Sequence, residues 1–428
     1  MTKHANNSDH LQMVERPQTT TVEIPLPILG AFANIENSFF ELCFDAGSQA
    51  LTAMMEQDRE DLCGPRWKRD PDRRAGRAGT TQSEVTLGGR RVPLRRPRVR
   101  SKDGREMELP SFVFAANRDP LDRHAMNAVA CGISGRKYAR SLEPLPEEVD
   151  ERSTSKSSVS RRYVAMTTKQ MTKWLTLPLG DRHFPIVMID GINLGDHTVL
   201  MALGIDSEGK KQVLGLREGD TENSRVAKAL LRDLVDRGLD PERARLFVID
   251  GAKALTSAIV KVFGSLGAIH RCQIHKERNI LGHLPDHMHQ NVKSVLREAW
   301  GLSDADVAKR RLERLSSSLE TDHPGAAASV REGLDETLTL QRLGITGTLY
   351  KKLRSTNAIE NLNSGIATYS KNVKRWQGGS MVVRWVSAAI VEAEKKFRRV
   401  QGWHHIEKLV AALEELEAKD EAAAERVA

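Results

Sequence analysis

The chain has 428 residues, a formal net charge of +8 and only 5% aromatic residues. No stretch approaches the ~20 consecutive apolar residues that span a bilayer, and the polar, Pro-interrupted start lacks a secretory pattern, so a cytoplasmic protein with no membrane partner is expected. The four cysteines, Cys43, Cys63, Cys131 and Cys272, form no CxxC pair and no disulfide framework, while the excess of Lys and Arg favours polyanionic partners.

Residues 1–30 read as disordered or weakly ordered. From Ala31 to Leu62 the pattern is helical, with Phe39, Phe40, Leu42, Cys43 and Phe44 in one apolar cluster. Arg66 to Gly79 is rich in Arg and Gly and reads as a basic linker. The next segment holds six arginines within eleven residues: Arg90, Arg91, Arg95, Arg96, Arg98 and Arg100. Prolines break it, so it cannot be a helix, and the alternation of Val and Leu with Arg predicts exposed edge strands. Asp103-Gly104 is a hairpin turn signal. A basic hairpin over about 84–110 can track phosphates or be a plainly solvated strand pair.

Residues 119–176 read as helical. Ser153 to Val164 opens with small polar residues and carries Lys156, Arg161 and Arg162, with Val159 and Val164 for packing. That suits the second helix of a helix-turn-helix at about 140–165, whose first helix would draw on Leu142 to Val149 despite Pro144 and Pro146. The alternative is an ordinary capped surface helix. On the first reading, residues 31–176 form a DNA-binding region.

From His183 the pattern changes to strands at roughly 184–190, 197–205, 211–217, 245–250 and 268–272. Between them lies a helix after Thr221-Glu222-Asn223, with Val226, Leu230, Leu231, Leu234 and Val235 at helical spacing. This alternation predicts an α/β mixed sheet with helices on its faces. Residues 276–345 show no strand signal and read as an all-helical insertion, after which the α/β unit resumes over 346–400. Residues 401–428 form an amphipathic helix for packing or oligomerisation.

Two strands end alike, in Ile189-Asp190-Gly191 and Ile249-Asp250-Gly251. On neighbouring strands these aspartates would bring two like charges together, and a hard divalent cation with oxygen ligands, such as Mg²⁺, is the usual remedy. A third acid, Glu360, follows in Arg354-Ser-Thr-Asn357-Ala-Ile-Glu360-Asn361-Leu-Asn363. Its bland reading is a capping box, with Asn357 as N-cap and Glu360 at the third helical position. Cys272-x-x-His275 could begin a zinc site, although structural zinc takes four ligands. Trp300 reads either as core of the helical insertion or as a platform for an unpaired base.

Taken together, Met188-Ile-Asp190-Gly191, Val248-Ile-Asp250-Gly251-Ala-Lys253, Arg271-Cys272-Gln-Ile-His275-Lys-Glu-Arg-Asn279 and the Glu360 segment resemble the Mutator-type transposases of bacterial insertion sequences. The likeness is good over roughly 170–400 and looser toward the N-terminus. It implies an RNase H-like fold and an Asp-Asp-Glu triad of Asp190, Asp250 and Glu360 holding two Mg²⁺ ions, with Mn²⁺ able to substitute. Cys272, His275 and Asn357 would support that site. The partners implied are the terminal inverted repeats, target DNA and a second copy of the chain. The family's basic run after the glutamate is altered here: Gly365 to Tyr369 precedes Lys371, Lys374 and Arg375. A structure-specific nuclease on the same scaffold and a non-catalytic DNA-binding regulator are the competing readings.

Overall fold

The computed structural model describes residues 35–68, 73–87, 89–117, 126–129, 131–142, 145, 149, 150, 152, 154–219 and 224–425. The expectations for residues 1–30 and for Thr221-Glu222-Asn223 lie outside them. The chain divides into two compact units: 1–128 with 134–162, and 129–133 with 163–428. The division thus falls inside a helix rather than at 176.

In the first unit, helix α1 (Ile35–Cys63) packs on an antiparallel pair, β1 (Ala75–Leu87) and β2 (Arg90–Ser101). Their register runs from Ala75↔Ser101 to Leu87↔Arg90, closed by a turn in which Gly89 adopts φ +80°. Residues 75–79, expected to be linker, are therefore strand. Their apolar signal is sparse, because one face alone, with Ala75, Val85, Val92 and Val99, is buried against Met55, Leu109 and Ala115. Asp103-Gly104 does make a turn, but it leads into a two-residue strand β3 (Glu106–Met107) that pairs only with Val99 and Arg100. Pro93 and Pro97 lie in β2 outside that pairing, where a missing N–H costs no ladder bond. Helix α2 (Pro110–Asn117) follows.

The first helix of the expected helix-turn-helix falls largely on residues outside the described ones; Ala139–Ser141 before it is a single 3₁₀ turn. Leu145 and Val149 pack against the Val85–Val92 cluster, and Arg152 bridges to the backbone of Arg91. The second helix does form, as α3 (Lys156–Leu175), with Val159, Tyr163, Thr167 and Trp174 buried along one stripe.

The second unit is built on a five-stranded sheet: β4 (Ile186–Leu194), β5 (His197–Ile205), β6 (Lys211–Gly219), β7 (Arg245–Ile249) and β8 (Gly267–Arg271). Their spatial order is β6-β5-β4-β7-β8. The first three strands form an antiparallel meander, and β7 and β8 run parallel to β4. Helices α4 (Ser224–Asp236) and α5 (Lys253–Phe263) bury Leu230, Leu231, Leu234, Ala258 and Ile259 against Val187, Ile189, Phe247 and Ile249 of the sheet.

A helical block then runs from α6 (Gln273–Leu281) through α7 (Asp286–Gly301), α8 (Ala305–Leu319) and α9 (Pro324–Arg331) to α10 (Thr339–Arg342). It has its own apolar core. Asp304 caps α8 by accepting from the N–H groups of Asp306 and Val307. Four helices close the chain: α11 (Gly347–Leu353), α12 (Asn357–Ser370), α13 (Gly379–Glu394) and α14 (Ile406–Glu425). The apolar stripe of α14 is buried, and Glu417 accepts a hydrogen bond from the Ala244 N–H at 2.6 Å, so this helix packs on its own chain. No helix among the described residues is long and apolar enough to cross a membrane.

Candidate active site

Parallel pairing of β4 with β7 sets Met188 beside Val248 and Ile189 beside Ile249. Asp190 and Asp250, both half-buried, each follow directly on these last paired residues, Asp190 still within β4 and Asp250 just past the end of β7. They are held differently. Asp250 Oδ1 accepts from the N–H of Ala252, two residues on in its own chain, at 2.9 Å. Asp190 Oδ2 accepts from the Nδ2 of Asn363 at 2.9 Å, and the same amide reaches the Gly191 carbonyl at 3.3 Å.

Asn363 lies one turn beyond Glu360 on α12, so both project from one helix face. The amide clamp on Asp190 thus brings the Glu360 face of α12 to the middle of β4. Glu360 is no capping-box member. Thr356, not Asn357, occupies the N-cap position, and its hydroxyl donates to Glu360 Oε1 at 2.8 Å. Asn357 is exposed on the first turn, and the hydroxyl that meets Glu360 is that of Thr356.

Cys272 and His275 join this group. The Cys272 N–H donates to the Ile249 carbonyl at 2.7 Å and the Gln273 N–H to the Arg354 carbonyl at 2.9 Å, tying the exit of β8 to that of β7 and to the approach to α12. His275 Nδ1 lies 3.9 Å from Glu360 Oε1. The neighbouring Cys272 holds the His275 pKa above its ordinary value against desolvation, and the charges of Glu360 and Asp190 act in the same sense. Burial pushes the Cys272 thiol up, but hydrogen bonds with His275 and Thr356 outweigh it and leave its pKa lowered. Cys272, His275 and Glu360 each bring a ligand atom within 4.8 Å of the others. A structural zinc site takes four ligands at about 2.0–2.3 Å. This cluster offers three, with the Thr356 hydroxyl at hydrogen-bonding range of each, and we read it as a hydrogen-bonded cluster.

Gly251 shapes the turn after Asp250. It adopts φ +99°, and a Cβ there would overlap the Arg271 guanidinium. Arg271 in turn donates to the carbonyl and carboxylate of Glu332 in the helical block, each at 3.1 Å.

The predicted DNA contacts divide. Arg95 and Arg100 are exposed on the hairpin, Arg91 is half-buried and Arg90 is buried. Arg96 stacks on Phe112 at 4.4 Å, and both Arg96 and Arg98 pair with Glu106. Lys156 and Arg161 are exposed at the start of α3, with Arg162 half-buried; Lys371, Lys374 and Arg375 are exposed just after α12. Trp300 is corrected to core. It is 3% exposed, its indole N–H donates to Thr337, and its carbonyl accepts from Gln341 and Tyr350. A base could stack on it only by opening the helical block. Thr356 and Asn363 were missed in the sequence. Both stand at helical spacing from Glu360, at i−4 and i+3, and that spacing was the available signal.

The Mutator family of transposases matches residues 33–400. Similar proteins include the transposase for insertion sequence element IS256 in transposon Tn4001 of Staphylococcus aureus, 23% identical over 354 residues (79% of this chain, 86% of the relative). The transposase for ISRM5 of Rhizobium meliloti is 27% identical over 285 residues (65% and 69%). The transposase for IS1081 of Mycobacterium tuberculosis is 24% identical over 389 residues (86% and 88%). The match takes in both compact units and the strand and helix segments that carry Asp190, Asp250 and Glu360, and on that extent the chain belongs to the Mutator family of transposases.

Proposed function

We propose that this chain cuts and joins DNA as the transposase of an insertion sequence, using Asp190, Asp250 and Glu360 on an RNase H-like sheet. The observation that carries the reading is the parallel pairing of β4 with β7 up to the residues just before Asp190 and Asp250, together with the Asn363 hydrogen bond that docks the Glu360 helix onto Asp190. A three-strand meander followed by two parallel strands, in the order β6-β5-β4-β7-β8, is consistent with the RNase H-like expectation.

The donor set fits a hard divalent cation, because the three acids offer only oxygens. Mg²⁺, or Mn²⁺ in its place, would supply Lewis-acid activation of the attacking oxygen and charge for the leaving oxygen of an in-line displacement. Asp190 is the acid best placed to be shared, since the Glu360 helix is docked on it. Asn363 occupies one Asp190 oxygen as a donor and fixes the carboxylate's rotation. No side chain need act as nucleophile: water would serve in cleavage and a DNA 3′-hydroxyl in joining. Exposed Arg95, Arg100, Lys156 and Arg161 provide cations for phosphates of the terminal repeats, and Lys371, Lys374 and Arg375 provide them near the acids. Holding two ends at once calls for a homodimer on DNA.

The test is incubation of end-repeat DNA with Mg²⁺ or Mn²⁺. Asp190→Asn, Asp250→Asn and Glu360→Gln are each expected to abolish cleavage and joining while DNA binding persists. Wild-type cleavage by all three would sink the triad. Wild-type protein that binds the repeats but cuts in no metal would instead favour the regulator.

A further inference from the structure

We infer that Thr356 is a positioning residue for Glu360, the hub of a hydrogen-bond relay that runs from His275 to the carboxylate; this rests on the triad proposed above. Thr356 is fully buried, on the segment leading into α12. Its Oγ1 lies 2.8 Å from Glu360 Oε1, 3.4 Å from His275 Nδ1 and 3.5 Å from Cys272 Sγ. A hydroxyl has one proton to give and lone pairs to accept with. The shortest of the three contacts, to an ionised carboxylate, takes the proton, since charge-assisted hydrogen bonds are the strong ones. That leaves the Thr356 oxygen as acceptor toward Cys272 and His275, and the relay ends with the Thr356 O–H donating to Glu360.

The relay has a mechanical consequence. Glu360 is on a first helical turn, where a long side chain has several rotamers to choose from, and its Oε1 is held by a group that is itself buried. The second oxygen is left to the proposed cation. Asn363 treats Asp190 in the same way. Both ends of the acid pair are thus oriented by neutral donors four residues before, and three residues after, Glu360. Groups that orient metal-binding carboxylates typically alter metal affinity or activity by about 10–100-fold when removed.

Thr356→Val keeps the branched shape and deletes the hydroxyl; Thr356→Ser keeps the hydroxyl and deletes the methyl. Both are assayed for end-repeat cleavage across Mg²⁺ and Mn²⁺ concentrations, beside Glu360→Gln and with DNA binding measured separately. The expected result is that Thr356→Val needs about 10–100-fold more metal for half-maximal cleavage, with unchanged DNA affinity, while Thr356→Ser recovers most of the wild-type metal requirement. A wild-type metal requirement in Thr356→Val, or equal defects in the two variants, overturns the positioning role. If Thr356→Val fails to fold, Thr356→Ser with a wild-type fold and a valine-like loss of metal response overturns it as well. If Glu360→Gln itself cleaves normally, the triad has failed rather than the relay.

Discussion

Ile189-Asp190-Gly191 and Ile249-Asp250-Gly251 are identical in sequence and opposite in backbone setting. Asp190 lies within a strand: β4 continues to Leu194, and Gly191 pairs with Leu200 in the ladder. Asp250 lies just past the end of β7, and Gly251 turns the chain at φ +99°. Asp190 is fixed from outside by Asn363 of α12, whereas Asp250 is fixed from within by the Ala252 N–H. One acid therefore inherits its precision from the sheet and a docked helix. The other depends on the shape of a single turn.

If that contrast is right, the two glycines are not equivalent. Gly251→Ala must place a side chain at positive φ and displace Arg271, which is buried and bonded to Glu332. The expected loss is about 2–4 kcal/mol of stability, with cleavage lost as the Asp250 turn shifts. Gly191→Ala, in extended conformation, is expected to change stability by about 1 kcal/mol or less. Urea unfolding of both variants measures the difference, and equal losses would erase the contrast.

The next largest effect tests the external clamp. Asn363→Leu removes the donor to Asp190 and keeps similar bulk. Cleavage is expected to fall by about 10–100-fold, with a higher metal requirement and an unaltered Asp250 turn. A variant as active as wild type at limiting Mg²⁺ would show that Asp190 is held well enough by its strand.

The sheet was legible because its strands are short buried apolar runs bounded by turn residues, and each observed strand lies within a few residues of its expected place. The helical insertion was legible from Val292, Leu296, Trp300, Leu312, Leu315 and Leu319, all buried, although Val307 of the same pattern points outward at 40% exposure. Strand β1 was partly lost because Arg-Gly composition masked a one-sided apolar face. The second helix of the expected helix-turn-helix was legible from Val159 and its neighbours at helical spacing, and it forms as α3. In the candidate site, the three proposed acids came from motif spacing, but the residues that hydrogen-bond them could not be ranked. Whether Asn357 or Thr356 meets Glu360 depends on where the helix begins, and a shift of one residue exchanges an exposed side chain for a buried one.

The smallest expected effect concerns the acids' mutual repulsion. Two carboxylates that share an ion must lie close, and like charges about 5 Å apart cost between about 1 and 3 kcal/mol, from a water-like to a surface-like dielectric. Without divalent cation, Asp190→Asn and Asp250→Asn are therefore each expected to stabilise the protein slightly. Asp190→Asn should gain more, because Asp190 is docked on the face of α12 that bears Glu360. Metal reverses the order: at ten times its Kd, a cation that binds only the folded state adds about 1.4 kcal/mol, and the variants lose the ligands that capture it. Thermal unfolding with chelator and then with Mg²⁺ gives both comparisons in one series. Variants less stable than wild type in chelator, or a metal response equal in all three proteins, would mean that Asp190 and Asp250 do not share an ion.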